Sequence, residues 1–127
     1  MNKLLWGLQV LLAVAFFAHG WLLLFPPAEV AEQMNASLPR WFQLFLGVAE
    51  VLAAVGLTLP GATRIQPRLV PSAAAGVMIV MVSATILHVA RGEVSSALIT
   101  MLLLAVATFI AYMRWRVLPI RPRTRAA

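Results

Sequence analysis

The sequence predicts an all-α integral membrane protein, a four-helix bundle with both termini cytoplasmic. Three observations predict it. Of 127 residues, 62% are hydrophobic and 11% are charged, and mean hydropathy is +0.92, whereas a soluble domain is about half apolar and a quarter charged. Four apolar runs reach the roughly 20 residues that a bilayer span needs. The ten basic residues stand at the ends of those runs, where they set topology rather than bind nucleic acid. No base-stacking or groove-reading motif accompanies them, so no nucleic-acid partner is expected.

The first span is expected at residues 4–25, closed by Pro26-Pro27. Its apolar stretch exceeds the roughly 7–15 residues of a signal-peptide core, so an uncleaved helix is expected. The second span, 40–59, follows Ser37-Leu38-Pro39, in which Ser37 can cap and Pro39 suits a first turn, and Pro60-Gly61 closes it. The third, 69–90, has Pro71 in its first turn and Arg91-Gly92 at its end. The fourth, 94–115, cannot continue through Pro119 and Pro122. These spans make a single transmembrane domain over 1–127 with a basic tail, 116–127. Between the first two spans, Val30, Met34 and Leu38 recur at helical spacing, which predicts a short interfacial helix over the outer mouth.

One side of the membrane receives Lys3, Arg64, Arg68, Arg114, Arg116, Arg121, Arg123 and Arg125 with no acid; the other receives Arg40 and Arg91 against Glu29, Glu32 and Glu93. This asymmetry puts both termini inside, in what is expected to be a bacterial inner membrane. The tail is expected on anionic headgroups, with recruitment of a protein partner as the alternative. Trp6, Trp21, Trp41 and Trp115 stand near span ends and read as interfacial anchors. Gly47, Ala49, Ala53, Ala54 and Gly56 in span two face Ala73 to Gly76, Ser83 and Ala84 in span three as small residues. Small residues permit close approach in lipid, so these two spans are expected to pack most tightly.

Polar residues within the spans are Gln9, His19, Gln43, Glu50, Ser83, Thr85, His88, Thr100 and Thr108. Glu50 comes ten residues after Arg40, about 15 Å deep and therefore near the midplane. Gln43 precedes it by seven residues on nearly the same face. His19, Thr85 and His88 fall in the same outer half on two further helices. A carboxylate at this depth costs at least a few kcal/mol facing lipid. Glu50 therefore turns inward, with Gln43 and the two histidines as expected partners. The candidate ligand-binding or proton-relay set is Glu50, His88, His19, Gln43 and Thr85. For the serines and threonines, bonding to their own helix backbone is the simpler role.

Several chemistries fit such a set. A proton-linked binding site is one. A haem between His19 and His88 is disfavoured by their unequal depths. A His-His-Glu metal site lacks the close spacing on one helix that metal ligands show, so no metal is expected. An isomerase moving a proton on a buried lipid is a further alternative. With no cysteine, thiolate metal sites and thiol relays are excluded.

FLGVAEVLAAVGLTLP, RLVPSAAAGVMIVMVSATILH and SALITMLLLAVATFIAYMRWR resemble the DoxX-like membrane proteins. That family has an R-x-x-G-x-x-E-type start to span two, an alanine-rich third span ending in histidine, and a fourth span closed by a base. Gly47 to Glu50, Ala84 to His88, and Arg114 supply these here. AHGWLLL resembles the small-residue segment of span one, but Leu23 and Leu24 stand where relatives carry a lysine, and His19 where small residues are usual.

The resemblance implies a four-helix membrane bundle. Some relatives accompany thiosulfate-quinone oxidoreduction, and others superoxide dismutase and a sulfurtransferase. A distant animal relative assists nicotinic-receptor assembly. Glu50 and His88 carry over as functional positions; Gln43 and His19 do not. The expected role is an accessory or ligand-binding subunit of a membrane redox or stress-response system, without catalysis of its own. Quinone is the cofactor class kept open. Membrane lipids, a redox protein and a second copy of the chain are the expected partners. The alternatives are a small proton-coupled transporter and a membrane isomerase.

Overall fold

A computed structural model describes residues 1–124. The chain is helical, and among the described residues there is no strand. Helix α1 is Asn2–Leu24, α2 Ala28–Ser37, α3 Arg40–Thr63, α4 Leu69–Ala90 and α5 Val94–Tyr112, followed by a π-helical turn, Met113–Val117. Four helices, counting α5 with its π turn, are long and apolar enough to cross a membrane. This is a multi-pass membrane protein.

The helix ends follow local chemistry. Pro39 holds an extended backbone at the N-cap of α3. Gly92, at φ +72°, makes the tight turn between α4 and α5, a left-handed conformation that costs glycine little. The second span differs from expectation, because α3 runs through Pro60 to Thr63 and ends where Arg64 turns left-handed. Pro60 cannot donate to the Gly56 carbonyl, and the helix carries on past it for one turn. The fourth span differs too, its last turn widening into the π turn that carries Arg114.

The core is narrow. Leu12, Ala13 and Phe16 of α1 meet Ala54 and Leu57 of α3, Ala74, Val77 and Met81 of α4, and Ala107 and Ile110 of α5. Most other large side chains, such as Leu11, Leu52, Ile79 and Leu102, are exposed on the outer faces. In a bilayer those faces meet lipid tails as apolar as themselves, so packing rather than hydrophobicity selects the inward face.

Helix pairing corrects the expectation from small residues. The extensive pairs are α1 with α3 and α4 with α5; α3 with α4 is looser. Gly47 of α3 turns to α1, not α4. A Cβ on Gly20 would stand 2.9 Å from the Gly47 carbonyl oxygen, and one on Gly47 would stand 3.0 Å from the Gly20 carbonyl oxygen. The two backbones therefore touch. Between α3 and α4 one contact is comparably close, Gly56 against the Ala73 methyl. The rest of that interface diverges into a groove.

Helix α2 buries no residue fully, and its half-buried positions include Val30 and Met34, as expected of an interfacial helix. Its end is tied to the α4–α5 turn by Arg91 Nη2, which donates to the Ser37 carbonyl at 3.1 Å. At the opposite end of the bundle, residues 118–123 fold back as a strap along the end of α3. Arg64 Nε and Nη2 donate to the carbonyls of Arg121 and Pro122, and the Arg123 amide donates to the Arg64 carbonyl. This part of the tail is thus held on the bundle. Arg125, counted above with the basic side, lies outside the described residues.

Candidate functional site

The Gly20–Gly47 crossing brings α1 so close to α3 that side chains beside it must interact. A Cβ on Gly20 would also stand 3.1 Å from the Glu50 Cβ. His19, next to that glycine, places Nδ1 2.6 Å from Glu50 Oε2. Glu50 is 2% exposed, whereas the His19 side chain is 57% exposed. The imidazole therefore bridges a buried carboxylate and the bilayer-facing surface. Its Nε2 has no protein partner among the described residues. A contact this short is a hydrogen bond between two groups that can each carry a proton.

Glu50 also faces the groove between α3 and α4, which has a volume of about 520 Å³ and is open along its length. Phe16, Ala49, Ala53, Gly56, Ala73, Gly76 and Val77 are among its walls. Glu50 is the one ionisable side chain in that lining; Ser72 is the other polar residue. The shape follows from the small residues, because α3 and α4 touch at Gly56 and Ala73 and leave room above and below. An apolar cleft with very few polar groups is how ligand sites are usually built.

The other predicted residues are not part of this pair. Gln43 is fully buried, but it donates to Asn35 Oδ1 at 3.0 Å and the Leu38 carbonyl at 2.8 Å. It also accepts from Arg40 Nη1 at 3.3 Å. Arg40 in turn donates to the carbonyls of Leu23 and Leu24 at 2.7 Å. Those are orphan acceptors at the end of α1. Gln43 and Arg40 thus close this end of the bundle and anchor α2.

Thr85 joins α4 to α5. Its hydroxyl is 2.7 Å from the Met81 carbonyl and 2.8 Å from Thr100 Oγ1, which itself donates to the Ala97 carbonyl. His88, expected to share the Glu50 cavity, does not. Its Nδ1 lies 2.7 Å from Glu93 Oε2, and both side chains are partly exposed. The cause is register: His88 sits in the last turn of α4, and the carboxylate five residues later is nearer than one at midspan. Ser83 and Thr108 bond the carbonyls four residues back, Ile79 and Leu104, as isolated helix hydroxyls do.

A family model described as DoxX-like matches residues 7–110. The chain belongs to the DoxX-like family. No curated protein and no solved structure matches it. Both the His19–Glu50 pair and the groove lie inside the matched segment of this DoxX-like protein, whereas Arg114 lies beyond it.

Arg114 is the functional-type residue whose position sequence reasoning missed. Read as a topological charge closing the fourth span, it is 3% exposed. Its Nε donates to Gln9 Oε1 at 2.6 Å, and its Nη1 to Asn2 Oδ1 at 2.7 Å and the Leu118 carbonyl at 3.1 Å. Gln9 passes the link to α3 by donating to the Leu57 carbonyl at 2.8 Å. Trp6 covers the guanidinium face, with the carbon 5.5 Å from the ring centroid. Trp6 is therefore packed, unlike the exposed Trp21, Trp41 and Trp115. A signal was present in Gln9, an unexplained amide in the first span a few residues from Trp6.

Proposed function

We propose that this DoxX-like protein binds an apolar, lipid-soluble ligand with a hydrogen-bonding head, of the quinone class, as an accessory subunit of a membrane redox or stress-response system. One observation carries the reading. A buried carboxylate lines a largely apolar groove open to the bilayer, and His19 Nδ1 lies 2.6 Å from it. The groove has room for a ring or part of a prenyl chain, which could reach it laterally from the lipid. Glu50 would meet the ligand's carbonyl or hydroxyl, and His19 would take or return the proton on the bilayer-facing side. A quinone that gains electrons also gains protons, so a proton-sharing pair beside the ring matches that chemistry.

The same reading has both termini cytoplasmic, supported by eight basic residues on one side against two on the other. The electron donor would then be a separate redox protein, since this chain has no cysteine to carry electrons.

The test is purification in mild detergent followed by mass spectrometry of co-purified small molecules. Wild type is expected to retain a quinone, and Glu50→Gln to lose at least most of it while keeping its helical spectrum. Equal retention in both proteins counts against the groove. Proton-driven export from vesicles that Glu50→Gln abolishes would instead favour a transporter.

A further inference from the structure

Arg114 poses a charge problem that the described residues do not solve. All four acidic residues, Glu29, Glu32, Glu50 and Glu93, lie in or near the half of the bundle that carries α2. Arg114 is at the other end, three residues before the fourth span closes at Val117. Every acceptor it has is a neutral oxygen: Gln9, Asn2 and Leu118. Its Nη2 is buried and without a hydrogen-bond partner among the described residues. A buried cation without a counter-charge costs several kcal/mol, and neutral dipoles offset only part of it.

The surroundings say what would complete it. Arg64, Arg116, Arg121 and Arg123 are exposed at the same end. The π turn closes a span of bilayer length, so the guanidinium sits at the level where hydrocarbon gives way to headgroups. Trp6 blocks one face of the guanidinium. An acceptor that bonds Nη2 would lie in the guanidinium plane, which is how a guanidinium fork takes a phosphate.

The 118–123 strap beside the guanidinium is lightly held. The strap at 118–123 starts on the guanidinium at Leu118 and lays Ile120 beside Trp6 against Gly61. Three exposed hydrogen bonds, all to Arg64, hold its far end. Pro119 and Pro122 have no amide hydrogen to add another.

We propose that Arg114 Nη2 is the core of a phosphate site at the basic end of the bundle, reached when the 118–123 strap lifts from Arg64. The ligand's chemistry is a phosphate oxyanion, from an anionic lipid headgroup or from free phosphate. The site is independent of the ligand proposed for the Glu50 groove.

Delipidated full-length protein in detergent, titrated with phosphatidylglycerol, phosphatidylcholine or inorganic phosphate and read by native mass spectrometry, tests it. Phosphatidylglycerol is expected to bind one-to-one, at least tenfold tighter than phosphatidylcholine. Arg114→Lys, which keeps the charge but loses the fork, should weaken it at least tenfold. Gln9→Glu gives Arg114 an internal carboxylate at the cost of the bond to the Leu57 carbonyl, so it should weaken the lipid tenfold. Arg116→Gln makes the same change in net charge on an exposed residue and should change binding less than twofold. If Arg114→Lys does not fold, Gln9→Glu against Arg116→Gln carries the decision. Binding and competition by inorganic phosphate would identify free phosphate as the ligand; binding by the lipid alone would identify the headgroup. Equal losses in Gln9→Glu and Arg116→Gln, or no preference among the three probes, would overturn the proposal.

Discussion

Among the described residues, Glu50 and Arg114 are the two ionisable side chains that the bundle buries, at 2% and 3% exposure, and their neighbours differ in kind. Glu50 has a titratable partner, His19, supplied by the Gly20–Gly47 crossing of α1 and α3. Arg114 has neutral amides and a carbonyl, and its partners Gln9 and Asn2 come from the other end of that same helix, α1. The difference is one of self-sufficiency. The Glu50–His19 pair supplies its own hydrogen-bond partner. The arginine cannot lose its charge at ordinary pH, so it depends on oxygens brought to it. One helix thus serves two unlike stations, and each can be broken without the other.

Gly20→Val should have the largest effect. Its side chain would meet the Gly47 carbonyl and Glu50 within 3.1 Å, so α1 and α3 must part. Overpacking of this kind costs about 1–3 kcal/mol, and backbone on the far side puts it at the upper end. Unfolding in detergent should show that loss together with loss of the groove ligand, while phosphatidylglycerol retention stays. Loss of both would mean the stations are not separable.

His19→Ala and Gln9→Leu come next and set the two stations side by side. The first leaves Glu50 without its partner; the second leaves Arg114 Nε and the Leu57 carbonyl without theirs. Each should lower stability by about 1–3 kcal/mol. A double-mutant cycle of His19→Ala with Gln9→Leu should be additive within about 0.5 kcal/mol, because the residues share no partner. A larger coupling would show that strain passes along α1.

Thr85→Val should cost about 0.5–1.5 kcal/mol, the net worth of one hydrogen bond between α4 and α5. His88→Ala should be the smallest, within about 0.5 kcal/mol, since its partner Glu93 is exposed and solvated. A His88→Ala protein that lost its groove ligand would show that this histidine reaches the site after all.

What the sequence disclosed follows from what a one-dimensional pattern can hold. The four spans and the interfacial α2 were legible, because length, hydropathy and proline positions are local. The inward turn of Glu50 was legible from the cost of a carboxylate facing lipid. Which helix faces it was not, since the small residues of α3 serve two neighbours: Gly47 meets α1 and Gly56 meets α4. Gly20 carried the missing information, but a single glycine in an apolar helix is uninformative until its partner is known. His88 was misplaced because depth gives height and not azimuth, and Glu93 looked like a loop charge. Arg114 was hidden by the topology rule itself, which explains any arginine at a span end without asking which way it points.

The central claim is that a ligand lies in the α3–α4 groove against Glu50, and photolabelling tests it most directly. A photoreactive quinone analogue, irradiated with the protein in bilayer nanodiscs and mapped by peptide mass spectrometry, should label groove positions such as Ala53, Gly56, Ala73 and Gly76. Unlabelled quinone should compete, and Glu50→Gln should reduce labelling at least several-fold. Label spread evenly over exposed faces such as Leu11, Ile79 and Leu102, unchanged by competitor or by Glu50→Gln, would contradict the account.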